Sequence, residues 1–239
     1  IFPVSKHVTE IKPMRLQELN TMDFLEIQFA LRGKTLPADH GYALYSAVKK
    51  SLQNQSNNNL PSDLPDNIHL CTIPGIPDRA GMIYLNRGSR FRLRCPSDQM
   101  QTWYRFFQNQ VFDIQGHLIR LIQPRITLPE ANNTLTSRLV TFKLKDIDHT
   151  EVPRFFLQSC QTGLERLEIK GKAFIPSDPN GDLARRTLQI KDKKILGFSV
   201  VVEGLSDEDS LKLQWHGLGG RQHFGCGWFY PQKEDVYAA

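Results

Sequence analysis

Gly217-Leu218-Gly219-Gly220-Arg221-Gln222-His223-Phe224-Gly225-Cys226-Gly227 carries five glycines in eleven residues. Glycine adopts positive φ without a Cβ clash and lets the backbone approach a ligand closely. Arg221 and His223 add donors. Such a segment suits a phosphate backbone wrapped by N–H groups and neutralised by arginine. An ordinary turn between a last helix and a last strand uses one or two glycines. A dinucleotide loop needs G-x-G-x-x-G opening a helix. Here Gln222 stands where the third glycine belongs, and the twelve residues after Gly227 are too few for a βαβ unit.

Upstream, Phe24 to Leu31 alternates apolar with polar residues, the two-residue period of a half-buried strand. A turn at Arg32-Gly33-Lys34 leads to a helix from Asp39 to Leu52. Asp39 is its expected N-cap, and Leu44, Val48 and Leu52 recur on one face. The Asn-rich stretch from Gln53 to Asp66 reads as a loop. Ile68–Ile73, Met82–Leu85 and Arg90–Cys95 have strand lengths. Gln99–Phe112 carries Trp103, Phe106 and Phe107 at helical spacing, and His117–Ile122 returns as a strand. That order is β-α-β-β-α-β, the ferredoxin-like arrangement.

The second half repeats it. Thr136–Leu144 reads as a strand and Val152–Thr162 as a helix. Leu167–Ile175 and Arg186–Val202 supply strands, with a hairpin at Lys191-Asp192-Lys193-Lys194. Ser206 with Asp209 forms a capping box for a helix ending near His216, and Gly227–Pro231 is a last strand. The fold class expected is α+β, two tandem ferredoxin-like βαββαβ domains over residues 1–126 and 127–239.

The chain has 239 residues, 40% of them apolar, which is ordinary globular material with no run long enough to span a membrane. The Ile1 to His7 start lacks the pattern of a secretion signal, and Ile1 in first place leads us to expect a short preceding piece. A net charge of +5 favours an anionic partner without naming it. Cys71, Cys95, Cys160 and Cys226 are scattered without metal-ligand spacing and read as buried small apolar residues. No paired carboxylates stand out; Asp207, Glu208 and Asp209 suit a first helical turn.

The string from Gly217 through Trp228-Phe229-Tyr230-Pro231 resembles the C-terminal glycine-rich signature of CRISPR-associated RAMP proteins, and is most similar to that of the sixth Cas family. The Leu36–Tyr42 and Arg87–Arg94 stretches resemble its Myxococcus-type branch. The resemblance covers nearly the whole chain. It implies a cytoplasmic prokaryotic endoribonuclease that cuts CRISPR repeat RNA without metal or cofactor. The substrate's 2′-hydroxyl attacks the adjacent phosphate, leaving a 2′,3′-cyclic phosphate. The mature guide then stays bound, with other Cascade subunits as further partners.

Such a reaction needs a base, an acid and positive charge at the phosphorus. His40, expected in the first turn of the first helix, is the candidate base; His69, His117 and His223 are rivals. Tyr45 and Lys34 are candidate assistants, with Tyr42 near and Arg32 on the same turn. Arg90, Arg92 and Arg94 share one strand face at a repeat of roughly 6.6 Å, which suits a ladder along RNA phosphates. Arg185, Arg186, Lys191, Lys193 and Lys194 surround the hairpin, which in this family enters the stem's base. Gly219, Gly220, Arg221 and His223 complete the RNA-binding set. The alternatives are a RAMP subunit that binds guide RNA without cutting it and a general RNA-binding protein.

Overall fold

The computed structural model describes residues 23–54, 60–144 and 147–231. The opening residues, His7 among them, lie outside these, as does part of the Asn-rich stretch. β1 (Phe24–Arg32) forms where alternation predicts it, with Ile27 and Phe29 fully buried. β2 (Thr35–Pro37) follows, then helix α1 (Gly41–Asn54), which buries Leu44, Val48 and Leu52 as the four-residue spacing requires. The helix starts later than expected. His40 is its cap, since its carbonyl accepts the first helical bond from Leu44 N at 2.7 Å. Asp39 is not the cap, because its carboxylate is taken by the backbone N–H of Gln189, 2.6 Å away in the other half of the chain.

The first half continues with β3 (His69–Leu70), β4 (Ile76–Pro77), β5 (Met82–Tyr84), β6 (Arg90–Pro96), α2 (Met100–Phe107), β7 (Val111–Ile114) and β8 (His117–Thr127). Its main sheet runs β3-β6-β1-β8-β7, all antiparallel. Counting β1, β3, β6 and β8 as the four strands of a βαββαβ unit, the order is second, third, first, fourth, as in a ferredoxin-like fold. β7 was expected as the end of a helix. That helix stops at Phe107, and Asn109 turns left-handed at φ 64° before the strand begins. Gln115 and Gly116, both at positive φ, then form the two-residue turn into β8. β2, β5 and β4 make a separate three-stranded sheet that alternation did not reveal.

The second half contains β9 (Leu135–Val140), α3 (Val152–Arg166), β10 (Lys172–Phe174), β11 (Arg185–Ile190), β12 (Lys193–Glu203), α4 (Asp207–His216) and β13 (Tyr230–Pro231). Its sheet runs β10-β12-β9-β13, the same permuted order, with β11 hairpinned onto β12. Ser206 caps α4 as expected, accepting from Asp209 N at 3.1 Å. Each sheet has its own apolar core: Phe29, Phe91 and Phe107 in the first, Phe156, Phe198 and Phe229 in the second. The chain is thus a tandem of ferredoxin-like folds.

The two sheets are joined by polar groups as well as apolar ones. Phe24 stacks on Trp215 of α4 at 4.9 Å. Arg94, 2% exposed, donates to Glu26 Oε2 at 3.3 Å and to the carbonyl of Gln214 at 2.5 Å, with its guanidinium 4.0 Å above the Trp228 ring. Glu26 also faces Arg92 at 3.7 Å. One buried carboxylate therefore faces two guanidinium groups. Burial lowers the Arg94 pKa to about 10, still charged at neutral pH. Removing the carboxylate leaves buried positive charge uncompensated, which typically costs about 3–5 kcal/mol. Glu26→Ala is expected to lower the unfolding free energy by that amount, seen as a lower denaturant midpoint with the m-value unchanged; a loss under about 1 kcal/mol would show that the carboxylate does not compensate the buried guanidinium groups.

Candidate functional site

The glycine-rich segment returns the chain from α4 to β13 and lies against both halves. Phe224 sits edge-on to Tyr42 and Tyr45 of α1. A Cβ on Gly41 would meet the Phe224 carbonyl oxygen at 2.2 Å, and one on Gly225, at φ 80°, would meet Thr72 N at 2.8 Å. Glycine is needed at both places because backbones meet there. The expected open cradle is thus corrected to a packed seam. Gly219 lies against the carbonyl of Thr141, and Arg221 donates to the Thr141 hydroxyl at 3.3 Å. His223 donates through Nε2 to the carbonyl of Pro65 and stacks on Tyr45. Gly220 is exposed, with open space where a Cβ would stand.

Beside this seam lies a pocket of about 300 Å³ lined by His40, Ile73, Arg92, Arg138, Trp228 and Tyr230, among others. It draws on both halves of the chain. His40 is 1% exposed. Its Nδ1 lies 2.8 Å from the carbonyl of Pro37, and its Nε2 lies 2.9 Å from the backbone nitrogen of Ile73. A carbonyl only accepts and an amide N–H only donates, so the proton is on Nδ1 and Ile73 N–H occupies the Nε2 lone pair. Burial, with a smaller contribution from the charge of Arg138, lowers the pKa of the ring to about 4. The imidazole is therefore neutral at pH 7, the form that can accept a proton, and its accepting atom is latched by Ile73.

Arg138 carries no sequence signal, standing alone in β9. Phe198 opposes Val140 and Val200 opposes Ser137, so Arg138 and Leu139 share the single partner Ser199. This is a bulge, a device that re-aims side chains. Leu139 consequently joins Leu188 and Cys226 in a small cluster apart from the main second core, while Arg138 stays exposed and lines the pocket. Its charge acts on His40, Asp39 and Tyr230 alike. Burial raises the Tyr230 pKa, keeping its hydroxyl protonated.

The basic hairpin reaches the rim of the same site. Gln189 of β11 holds Asp39 beside His40, and Lys194 acts on the Asp39 carboxylate. Burial nevertheless raises the Asp39 pKa overall. Arg185, Lys191, Lys193 and Lys194 are exposed, and Arg186 is half-buried.

Other expected members are not brought to the pocket. Tyr45 donates its hydroxyl to Asp63, 2.7 Å away, and does not line the pocket. Arg32, at the end of β1, and Lys34, on the turn after it, are exposed and do not line the pocket. The arginine ladder is corrected most sharply. Arg90 turns back onto the carbonyls of Arg87 and Ser89 at 2.6 and 2.8 Å, and Arg94 is sealed between the halves. Arg92 lines the pocket but is held by Glu26, by Cys71 Sγ at 3.1 Å, and between the rings of Trp228 and Tyr230. Alternation put the three on one face; the second half of the chain covers that face. Of the rival histidines, His117 pairs with Thr35 Oγ1 at 3.0 Å, and His69 packs edge-on to Trp215. A larger groove of about 850 Å³, between α3 and the outer side of the glycine segment, has no histidine or carboxylate in its lining.

His40 and His69 both have pKa values lowered to about 4, chiefly by burial. Unfolded, each takes its proton near 6.5. The native state then binds fewer protons, so stability is complete above pH 6.5 and is lost as the pH falls toward 4. The slope is about 1.4 kcal/mol per pH unit for each histidine. A fall in the unfolding free energy between pH 6.5 and 5, roughly halved in His69→Gln, is the expected outcome; a flat profile would contradict the burial of these rings.

The chain resembles known proteins along most of its length. The family described as Cas6 Crispr matches residues 25–234. The CRISPR-associated endonuclease Cas6 of Myxococcus xanthus (strain DK1622) is 32% identical over 212 residues, 89% of this chain and 83% of that protein. Among solved structures, a Cas6-related protein of Pyrococcus furiosus superimposes with a TM-score of 0.61 at 15% identity, covering 89% of this chain and all of that one. One described as a RAMP protein binding different RNA substrates gives 0.58 at 13% identity, covering 86% and 98%. The two ferredoxin-like sheets, the glycine-rich seam and these matches lead to one conclusion: this chain belongs to the Cas6 family of CRISPR-associated proteins.

Proposed function

We propose that this protein, a CRISPR-associated endoribonuclease by family, cuts repeat RNA at the pocket between its two sheets. In this reading residues 1–126 supply the base and residues 127–239 supply cations and the RNA-binding hairpin. The observation that carries it is His40, a neutral imidazole in a pocket that also holds arginine side chains from both halves. The RNA stem lies along the β11–β12 hairpin, with Arg185, Lys191, Lys193 and Lys194 on its phosphates, and Gly220 and Arg221 touch the strand beyond. Entry of RNA displaces the Ile73–Gly75 segment, hinged at Thr72 where Gly225 holds the backbone, freeing Nε2 of His40. The 2′-hydroxyl then gives its proton to Nε2 and its oxygen attacks the adjacent phosphorus. The P–O5′ bond breaks and the leaving 5′-oxygen takes a proton from water, leaving a 2′,3′-cyclic phosphate and a 5′-hydroxyl. No metal is needed for these steps. The mature guide remains bound and enters a Cascade-type effector complex.

A second reading, a subunit that holds guide RNA without cutting it, draws on the fact that both ring nitrogens of His40 are occupied at rest.

Incubation with the repeat RNA of the neighbouring array in excess EDTA separates the two. A single cut ending in a cyclic phosphate is expected, with no cut when the nucleotide before the scissile phosphate is 2′-deoxy. His40→Ala should lose at least about a hundredfold in single-turnover rate while binding RNA as wild type does. Cutting of the deoxy substrate would rule out attack by the 2′-hydroxyl. Tight, salt-sensitive binding with no cleavage by the wild-type chain would favour the second reading.

A further inference from the structure

Resting on the proposed reaction, the geometry points to Arg138 as a further catalytic residue, whose guanidinium grips the non-bridging oxygens of the scissile phosphate during attack. Four observations converge on it. Arg138 lines the same pocket as His40, although it comes from β9 in the other half of the chain. It sits in the β9 bulge, where two residues face one partner, and its main chain is pinned there by the Ser199 hydroxyl, which donates to the Arg138 carbonyl at 2.8 Å. Among the described residues its guanidinium forms no ion pair and no side-chain hydrogen bond. It is exposed, so an RNA phosphate reaches it without opening the protein.

The other arginine of the pocket cannot take this role at rest. Arg92 faces the Glu26 carboxylate, the Cys71 sulfur and two aromatic rings, so its guanidinium is already engaged. A guanidinium with no ion pair among the described residues, acted on by the Asp39 carboxylate only at longer range and held on a strand fixed by a bulge, matches a two-oxygen acceptor such as phosphate better than an ammonium does. As the 2′-oxygen adds to phosphorus, negative charge grows on the two non-bridging oxygens. Arg138 stabilises that charge and keeps its own protons throughout; the proton from the 2′-hydroxyl goes to His40. A cation aimed where charge develops commonly supplies a factor of about 10²–10³ in rate.

The test is single-turnover cleavage of the repeat RNA by the full chain, at protein concentrations saturating each variant, with thermal unfolding as a folding control. Arg138→Ala is expected to slow the chemical step by about 10²–10³-fold, with RNA affinity changed far less. Arg138→Lys should recover only part of the loss, and added guanidinium ion should partly restore Arg138→Ala but not His40→Ala. If Arg138→Ala cleaves within about threefold of wild type while His40→Ala is inactive, the role given to Arg138 is wrong and the site stands. A defect of Arg138→Ala that disappears at saturating protein would make it a binding residue only and overturn the inference. If both variants cut as wild type does, the site itself has been misplaced.

Discussion

The architecture turns on two places where backbones of the two halves meet without room for a side chain: Phe224 O over Gly41, and Gly225 over Thr72 N. Packed interiors do not deform continuously, so such contacts fix relative position to a fraction of an ångström. The first pins the start of α1, and with it His40, to the glycine-rich segment. The second pins the segment that lies over His40. Because the pocket takes residues from both halves, its geometry is only as good as this seam. Positioning errors near 1 Å can cost about a hundredfold in an enzymatic rate, which gives a physical reason for glycines that meet backbone rather than solvent.

The charge of the protein divides into two populations. Arg94 and Arg92 are committed to Glu26, to the Gln214 carbonyl and to the rings of Trp228 and Tyr230. Glu26 comes from their own sheet, while the Gln214 carbonyl and the Trp228 and Tyr230 rings come from the second half, so docking completes the surroundings of both guanidinium groups. Arg138 at the pocket and the hairpin residues Arg185, Lys191, Lys193 and Lys194 are exposed and form no ion pairs among the described residues. A formal count of +5 mixes the two populations. What attracts a polyanion is the second.

Much of this was legible from the chain. β1 and α1 declared themselves because half-buried elements must repeat at 2.0 and 3.6 residues, and the cap on α4 because Ser206 has a local partner. The hairpin showed as a charged break between apolar runs. β7 did not, because Phe112 and Ile114 continue the apolar spacing of the helix before them and only the left-handed Asn109 separates the two. The arginines of β6 were placed on the correct face and given the wrong neighbour. Alternation tells which side chains share a face, never what covers it. Arg138 was invisible for a similar reason: it owes its position to a bulge that depends on how β9 pairs with β12, a property of two strands about sixty residues apart. His40 was found through the resemblance of its surroundings, yet nothing local announced that it would be buried with both nitrogens occupied.

That burial has a consequence for the role proposed for His40. A base with a pKa near 4 is present in the right form at pH 7 but is weak, and a proton acceptor works best when its pKa lies near the working pH. The two obstacles share one cause. The segment bearing Ile73 both blocks Nε2 and helps exclude water from the ring. Withdrawing it exposes the lone pair and restores hydration, and hydration moves the imidazole back toward its ordinary value near 6.5. A phosphate arriving at the pocket adds negative charge beside the ring and pushes in the same direction, since opposite charge favours imidazolium. In the proposed reaction, entry of the substrate would thus create both the access and the basicity that attack on its own phosphate requires, while the free protein keeps this histidine neutral and shielded.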